Sequence, residues 1–143
     1  MHRLTGMAVL LLCGAAHAGC PPEGQARSSL LALKSTTPDP WAVRDEAARK
    51  NLALGLLGCL SDPDPVLRDE VAFEALSHWM RTKQLPPDSL RDMADQLQPQ
   101  LMVADAQGFA APFAALVLAE VARADRLSPL FSASRRLALV EAA

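Results

Sequence analysis

The sequence predicts an all-α protein built from antiparallel helical hairpins, arranged either as a HEAT-like α-solenoid or as a helical bundle. Half of the 143 residues are hydrophobic, but only 4% are aromatic and tyrosine is absent. Alanine and leucine dominate instead, which favours helices over strands. Clusters of Pro and Asp separate segments in which apolar residues recur at helical spacing. No segment has the pattern of a convincing β-strand.

Six helices follow from these signals, over residues 25–35, 41–60, 65–83, 88–103, 109–126 and from 132 to the end of the chain. The third has the clearest start, since Asp64 can cap free N–H groups and Pro65 suits the first helical position. The fifth carries no charge from residue 108 to 119 and is expected to be the buried central helix. Glu120 and Arg123 interrupt it, so it is too short to span a bilayer.

The N-terminus has the three parts of a secretory signal peptide. Arg3 supplies a positive charge, residues 4–13 form an apolar run, and Ala16-His17-Ala18 is a small-x-small cleavage pattern. The run is shorter than the ~20 apolar residues of a transmembrane helix. We therefore predict a signal peptide over 1–18 and one helical domain over 19–143, in the periplasm or secreted. An alternative treats Ala18-Gly19-Cys20 as a lipobox and anchors the protein through lipid on Cys20.

The composition of the mature chain bears on its partners and its cysteines. Of fourteen basic and sixteen acidic residues only Arg3 leaves with the signal, so the mature net charge is about −3. That balance argues against a nucleic-acid surface, which is usually strongly basic. Cys13 also lies in the signal, and the two remaining cysteines are an even count in an oxidising compartment. We predict a Cys20–Cys59 disulfide that holds the N-terminus on the second helix.

A short internal echo is typical of helical repeats. Residues 39–48, "DPWAVRDEAA", resemble residues 64–72, "DPVLRDEVA". Their offset of about 24 residues is shorter than the usual two-helix period of ~40, so a regular array is not established. We expect the two Arg-Asp-Glu triplets, at 44–46 and 68–70, to form a ladder of ion pairs between helices.

The second triplet has a functional alternative. Arg68, with Asp69 and Glu70 beside it, would line a concave groove and hold a carboxylate or phosphate. Glu74 and His78 are four residues apart and share a helix face with Glu70. A catalytic zinc site takes about three protein ligands, and no second histidine follows the signal, so we expect no metal and no other cofactor.

The two tryptophans and the remaining motifs complete the candidate site. Trp41 and Trp79 are expected to pack in the core. The alternative is that the two rings form a platform for a ligand, and Trp79 is then a candidate binding residue. The chain has no G-x-S-x-G motif, no glycine-rich phosphate loop and no paired-cysteine metal spacing. No catalytic residue is therefore assigned.

Two segments carry a family resemblance. Residues 61–85, "SDPDPVLRDEVAFEALSHWMRTKQL", and residues 108–125, "GFAAPFAALVLAEVARAD", resemble the domain-of-unknown-function 2785 family, an uncharacterised all-helical bacterial family. That family continues into further helices with a segment rich in Gly, Trp, Ala and His, which is not found here, and has Arg-Ser-Phe where this chain has Ala111-Pro112-Phe113. The resemblance implies the fold and a C-terminally shortened member, whose last helix would expose an apolar face.

Together these observations favour a binding protein over an enzyme. We expect an exported helical-repeat protein that binds or scaffolds a protein or peptide partner in the cell envelope, without nucleic acid and without a transmembrane helix in the mature chain. The alternative is a hydrolase-like envelope enzyme that uses Glu70, Glu74 and His78. Architecture and missing motifs support the first hypothesis, and fold alone does not define a function.

Overall fold

The computed structural model describes residues 19–142, so the predicted signal peptide at 1–18 lies outside the described residues. Within the described range the chain is all-α and no β-strand is present, which confirms the all-α part of the predicted fold class. The α-helices are α1 (Arg27–Lys34), α2 (Glu46–Leu56), α3 (Glu74–Arg81), α4 (Pro87–Leu97), α5 (Ala110–Leu127) and α6 (Ala133–Ala142). A π-helical segment, Val66–Phe73, leads into α3, and 3-10 turns follow α2 (Leu57–Ser61) and α4 (Gln98–Met102).

The hydrophobic core lies where α2, α3, α4 and α5 meet. The side chains buried most completely come from every part of the chain up to α5: Leu30, Leu56, Val71, Leu76, Trp79, Met93, Leu97, Val117 and Val121. α5 contacts both α3 and α4 and is central in that sense. It is not buried all round, however, because its buried residues form a single stripe and Leu116 is exposed.

The second helix begins at Glu46, five residues later than predicted. Trp41 has φ +64°, outside the helical region, and its indole is buried. Its backbone N–H donates to the Leu33 carbonyl at 2.9 Å, so residue 41 is hydrogen-bonded to the end of α1 instead of starting α2. Asp45 then caps α2 by accepting a hydrogen bond from the Ala48 N–H. Residues 39–45, "DPWAVRD", are therefore a loop and a cap, whereas their echo is helical from Val66 onward.

Aspartate side chains also cap the π-helical segment and α5. The Asp64 carboxylate accepts from the Val66 N–H at 2.9 Å, as predicted, and this bond lowers the pKa of Asp64. Before α5 the Asp105 carboxylate accepts from the N–H groups of Phe109 and Ala110, both at 3.1 Å. The helix predicted over 88–103 becomes a 3-10 turn after Leu97, because a proline at 99 cannot donate to an α-helical bond.

A disulfide joins Cys20 to Cys59, as predicted, across 39 residues. Cys59 lies in the 3-10 turn after α2 and is buried, so the link fixes the N-terminal segment on the second helix. Beside it the ring of Pro22 lies so close to Gly55 that a Cβ at that position would be 2.9 Å from the proline Cβ. Gly55 thus permits the close approach that the disulfide maintains.

The last helix is attached by polar contacts and by Leu139, which packs partly buried against the hydrophobic core. α6 has no buried residue, and Arg135 pairs with Asp95 and Gln98 of the preceding elements. On its outer side Leu137 is 59% exposed and Val140 is 73% exposed. Among the described helices, none combines the length and apolarity needed to cross a bilayer.

Candidate functional site

The polar face predicted on the third helix is tied to α1. Lys34 lies between two glutamates, with its Nζ 3.1 Å from the Glu70 carboxylate and 3.2 Å from that of Glu74. The hydrogen bond with Glu70 is the main cause that raises the pKa of Lys34. Both carboxylates therefore share one cation, and the predicted ladder to the triplet at 44–46 is wrong, because Glu70 pairs with α1 instead.

His78 lies in a shallow groove next to these glutamates. Its Nε2 is buried and has no hydrogen-bond partner, and it lies 3.8 Å from the Asp39 carboxylate, too far for a hydrogen bond. The Ser77 hydroxyl is also buried without a partner. The groove, here called the His78 groove, has a volume of about 360 Å³. Its lining consists of Trp41, Phe73, Glu74, Ser77, His78, Arg81 and Thr82.

The His78 groove holds polar groups without the contacts of a nucleophile–base pair. Because the Ser77 Oγ has no hydrogen-bond partner, it is not bonded to the neighbouring imidazole. Across residues 19–142, no three His, Cys, Asp or Glu side chains are grouped as metal ligands. Both polar atoms, the Ser77 hydroxyl oxygen and the His78 Nε2, are buried beneath the groove surface.

Arg68 is engaged inside the protein. Its side chain donates to the Asp69 carboxylate at 2.7 and 3.2 Å and to the Asp62 carbonyl at 3.0 Å. The guanidinium also lies over the Phe109 ring, 3.8 Å from its centroid. Only 7% of Arg68 is exposed. Arg68 thus contacts the residues just before α5 from within the π-helical segment, and neither Arg68 nor Asp69 is among the lining residues of the His78 groove.

Trp79 is part of the core. Its side chain is 0% exposed, and the indole N–H donates to the Trp41 carbonyl at 2.9 Å. This hydrogen bond joins the loop before α2 to α3 and satisfies the buried polar end of the ring. The predicted core packing of Trp79 is confirmed, and its ring has no exposed surface for the alternative role as a ligand platform.

A larger groove lies on the other side of α3, between α2, α4 and the end of α5. It has a volume of about 550 Å³ and is called the main groove. Its apolar lining consists of Met80, Leu85, Pro86, Pro87, Leu90, Ala124, Leu127 and Leu130. Its polar lining consists of Glu46, Arg49, Arg81, Lys83, Gln84, Arg123 and Ser128. Apolar side chains thus form most of the surface, with four basic residues among the polar ones.

The connection from α3 to α4 forms one wall of the main groove. Lys83 adopts φ +58°, and the N–H groups of Lys83 and Gln84 donate back to the carbonyls of Met80 and Trp79. This pair of bonds is a Schellman motif, in which glycine is the usual left-handed residue. Arg49 of α2 reaches across and donates to the Gln84 carbonyl at 2.7 Å and to that of Val43. This wall is therefore held by its own backbone hydrogen bonds and by the Arg49 side chain of α2.

Glu120 links two basic residues of the main groove. Arg81 donates to its carboxylate from Nη2 and, at 3.2 Å, from Nε, and Arg123 donates from Nε at 2.9 Å. The hydrogen bond from Arg81 is the main cause that lowers the pKa of Glu120. One mostly buried carboxylate therefore holds two guanidinium groups at the groove and joins α3 to α5.

Asp125 fixes the opposite wall, residues 128–130. Its carboxylate accepts from the N–H groups of Leu130 (2.6 Å) and Phe131 (3.0 Å) and from the Arg136 guanidinium. These bonds, that of Arg136 first, hold the pKa of the buried Asp125 carboxyl well below its usual range. Arg91 adds a hydrogen bond to the Leu130 carbonyl at 3.2 Å. Asp125 thus shapes the groove and anchors α6 together.

The main groove was not predicted from the sequence. Its basic residues come from three different helices and one loop, at positions 49, 81, 83 and 123, and no local motif joins them. The one local signal is the segment "TKQLPP" at 82–87, where a non-glycine residue and two prolines follow the end of a helix. That signal marks a fixed connection and does not identify a binding surface.

Comparison of the chain with protein-family models, with curated proteins and with solved structures finds no match.

Proposed function

We propose that this chain is an exported, all-helical domain that binds a peptide segment of a partner protein in the main groove and catalyses no reaction. The observation that carries the proposal is the groove itself, an apolar surface of about 550 Å³ with basic residues among its polar lining. This volume is within the range of concave binding sites and suits a few anchoring side chains of one segment. The partner is expected in the cell envelope.

A peptide suits the main groove better than a small polar ligand. The guanidinium groups of Arg81 and Arg123 are already hydrogen-bonded to Glu120, and that of Arg49 is bonded to two backbone carbonyls. Few unpaired polar groups therefore converge on one point, as a small polar ligand would need. Recognition then depends on apolar contacts along the groove, which is how peptide anchors bind.

The contacts on the third helix support a non-catalytic role. Glu70 and Glu74 share Lys34, and the Ser77 hydroxyl is not bonded to His78. A hydrolase-like mechanism through Glu70, Glu74 and His78 would need one of these groups to act as a base close to a nucleophile. The binding proposal requires no such arrangement.

Export is supported by the Cys20–Cys59 disulfide, since such bonds persist in oxidising compartments. A Cys20 sulfur in this bond is not available for lipid, which favours cleavage after Ala18 over a lipoprotein anchor. Mass spectrometry of protein expressed from Met1 in a bacterial host is expected to find a mature chain starting at Gly19 in the periplasmic fraction. An acylated Cys20, or an intact chain retained in the cytoplasm, would contradict this expectation.

Peptide binding is tested by selection from a displayed library of random 12-residue peptides on the immobilised protein. Leu127 lines the main groove and is 66% exposed, so its apolar surface is available to a partner. Leu127→Ser is expected to weaken the selected peptides about tenfold, because burying a leucine side chain contributes about 1.5 kcal/mol or more. Fluorescence anisotropy with labelled peptides measures the change.

The matched control is Leu137→Ser on α6, since Leu137 is 59% exposed and does not line the main groove. This control is expected to leave the affinity unchanged, and circular dichroism should show both variants folded. The proposal is wrong if no peptide is enriched, or if the two leucine variants weaken binding equally.

A further inference from the structure

The charges of the main groove differ in sign from those of the rest of the protein. Of the fourteen basic residues only Arg3 precedes residue 19, and all sixteen acidic residues follow it, so the domain carries an excess of acid. The groove lining nevertheless contains four basic residues and a single acidic one, Glu46. Low-dielectric walls with one sign of charge concentrate the field and attract ligands of the opposite sign.

Two of these cations have no carboxylate partner within the described residues. Arg81 and Arg123 share Glu120, but Arg49 donates only to backbone carbonyls, and Lys83 takes part in no ion pair or side-chain hydrogen bond. A hydrogen bond to a neutral carbonyl orients Arg49 without cancelling its charge. The groove therefore retains positive charge after its internal pairs are counted.

Lys83 occupies a position that favours glycine. At φ +58° a residue with a Cβ is less stable than glycine. An unfavourable backbone conformation at the edge of a cavity is a reason to look for a use of the side chain. Here the side chain is exposed at the groove and carries an unpaired charge.

We infer that the segment bound in the main groove is acidic, with apolar side chains on the lining of the groove and carboxylates near Lys83 and Arg49. This inference rests on the proposed function and adds the chemistry of its partner. The affinity of such a segment falls as ionic strength rises, because exposed charges are screened within about 10 Å at 0.1 M salt. Glu46 opposes the binding of this segment.

The test measures the net charge of the peptides selected above and their response to two groove variants. Selected peptides are expected to carry net negative charge. Lys83→Gly should lower the affinity of these peptides about threefold, because it removes one positive charge from the groove. The variant should keep its fold, because glycine suits the backbone conformation at position 83. Glu46→Gln should raise the affinity of these peptides about twofold, and loss of structure cannot produce such an increase. A peptide with the same apolar residues and serines in place of its carboxylates should respond to neither variant.

The control for total charge is Arg27→Gln, which removes one positive charge outside the groove, where Arg27 pairs with Asp64. It should change the affinity of the acidic peptide by less than the Lys83 variant does. Enrichment of neutral or basic peptides would overturn the inference and leave the proposed function standing, whereas no enrichment would overturn both. Equal binding of a ten-nucleotide single-stranded DNA would also overturn it, since the groove would then select any polyanion.

Discussion

Cys20→Ser is expected to lower the free energy of unfolding by about 4 kcal/mol, since the disulfide closes a loop of 39 residues in the unfolded chain. The substitution leaves Cys59, which is fully buried, as a small apolar side chain and so creates no new cavity there. Urea unfolding followed by circular dichroism measures the difference.

Reduction provides the control for this prediction. Dithiothreitol should lower the unfolding midpoint of the wild-type protein to that of Cys20→Ser and should leave the variant itself unchanged. Equal midpoints for the oxidised and reduced wild-type protein would show that the link contributes nothing to stability. A free-thiol titration under denaturing conditions confirms which form is present.

Asp125→Ala is expected to destabilise the protein by about 3 kcal/mol. The buried carboxylate accepts hydrogen bonds from two N–H groups and from Arg136, and its removal leaves those donors without a partner. The comparison variant is Asp95→Ala, because the exposed Asp95 also pairs with an arginine of α6. An exposed pair contributes about 1 kcal/mol or less. Equal losses in both variants would contradict the central role of Asp125.

The contribution of Asp125 to the free energy of unfolding decreases as the pH falls. Its pKa in the folded protein lies below that of the unfolded chain, so its contribution is complete above about pH 4 and decreases as the pH falls further. The difference in unfolding free energy between the wild-type protein and Asp125→Ala should therefore narrow from pH 5 to pH 2. A difference that stays constant over this range would show that the carboxylate charge is not involved.

Loss of the Asp125 carboxylate should also affect binding in the main groove. Asp125 holds the backbone at Leu130, which forms a wall of the main groove. Under conditions where the variant remains folded, Asp125→Ala should therefore also weaken peptides that bind in the main groove.

Most helix positions were predictable because their signals are local. Asp64 and Pro65 start a helix whatever surrounds them, since a capping carboxylate and a missing N–H act within one turn. The start of α2 was not predictable in this way. Trp41 leaves the helical region because its ring is buried and its carbonyl accepts from the Trp79 indole, 38 residues further along the chain.

The candidate site shows the same difference between features set by local sequence and features set by packing. The sequence placed Glu70, Glu74 and His78 on one helix face, which a 3.6-residue period determines. It could not show that Lys34 would neutralise the two glutamates, or that Arg68 would lie over the ring of Phe109, just before α5. These pairings join residues 36 to 41 positions apart, and only packing brings them together.

By itself, the sequence determined the helical class of this protein, the helix start at Asp64 and Pro65 and the pairing of Cys20 with Cys59, because these depend on short-range periodicity, on local capping and on the small number of cysteines. Tertiary structure alone decided which charges are neutralised and where a groove opens. Arg49, Lys83 and Arg123 lie on separate elements, and their common surface exists only because α2, α3, α4 and α5 pack around one core. Local signals carry no record of such contacts, since burial and charge pairing are properties of the assembled helices.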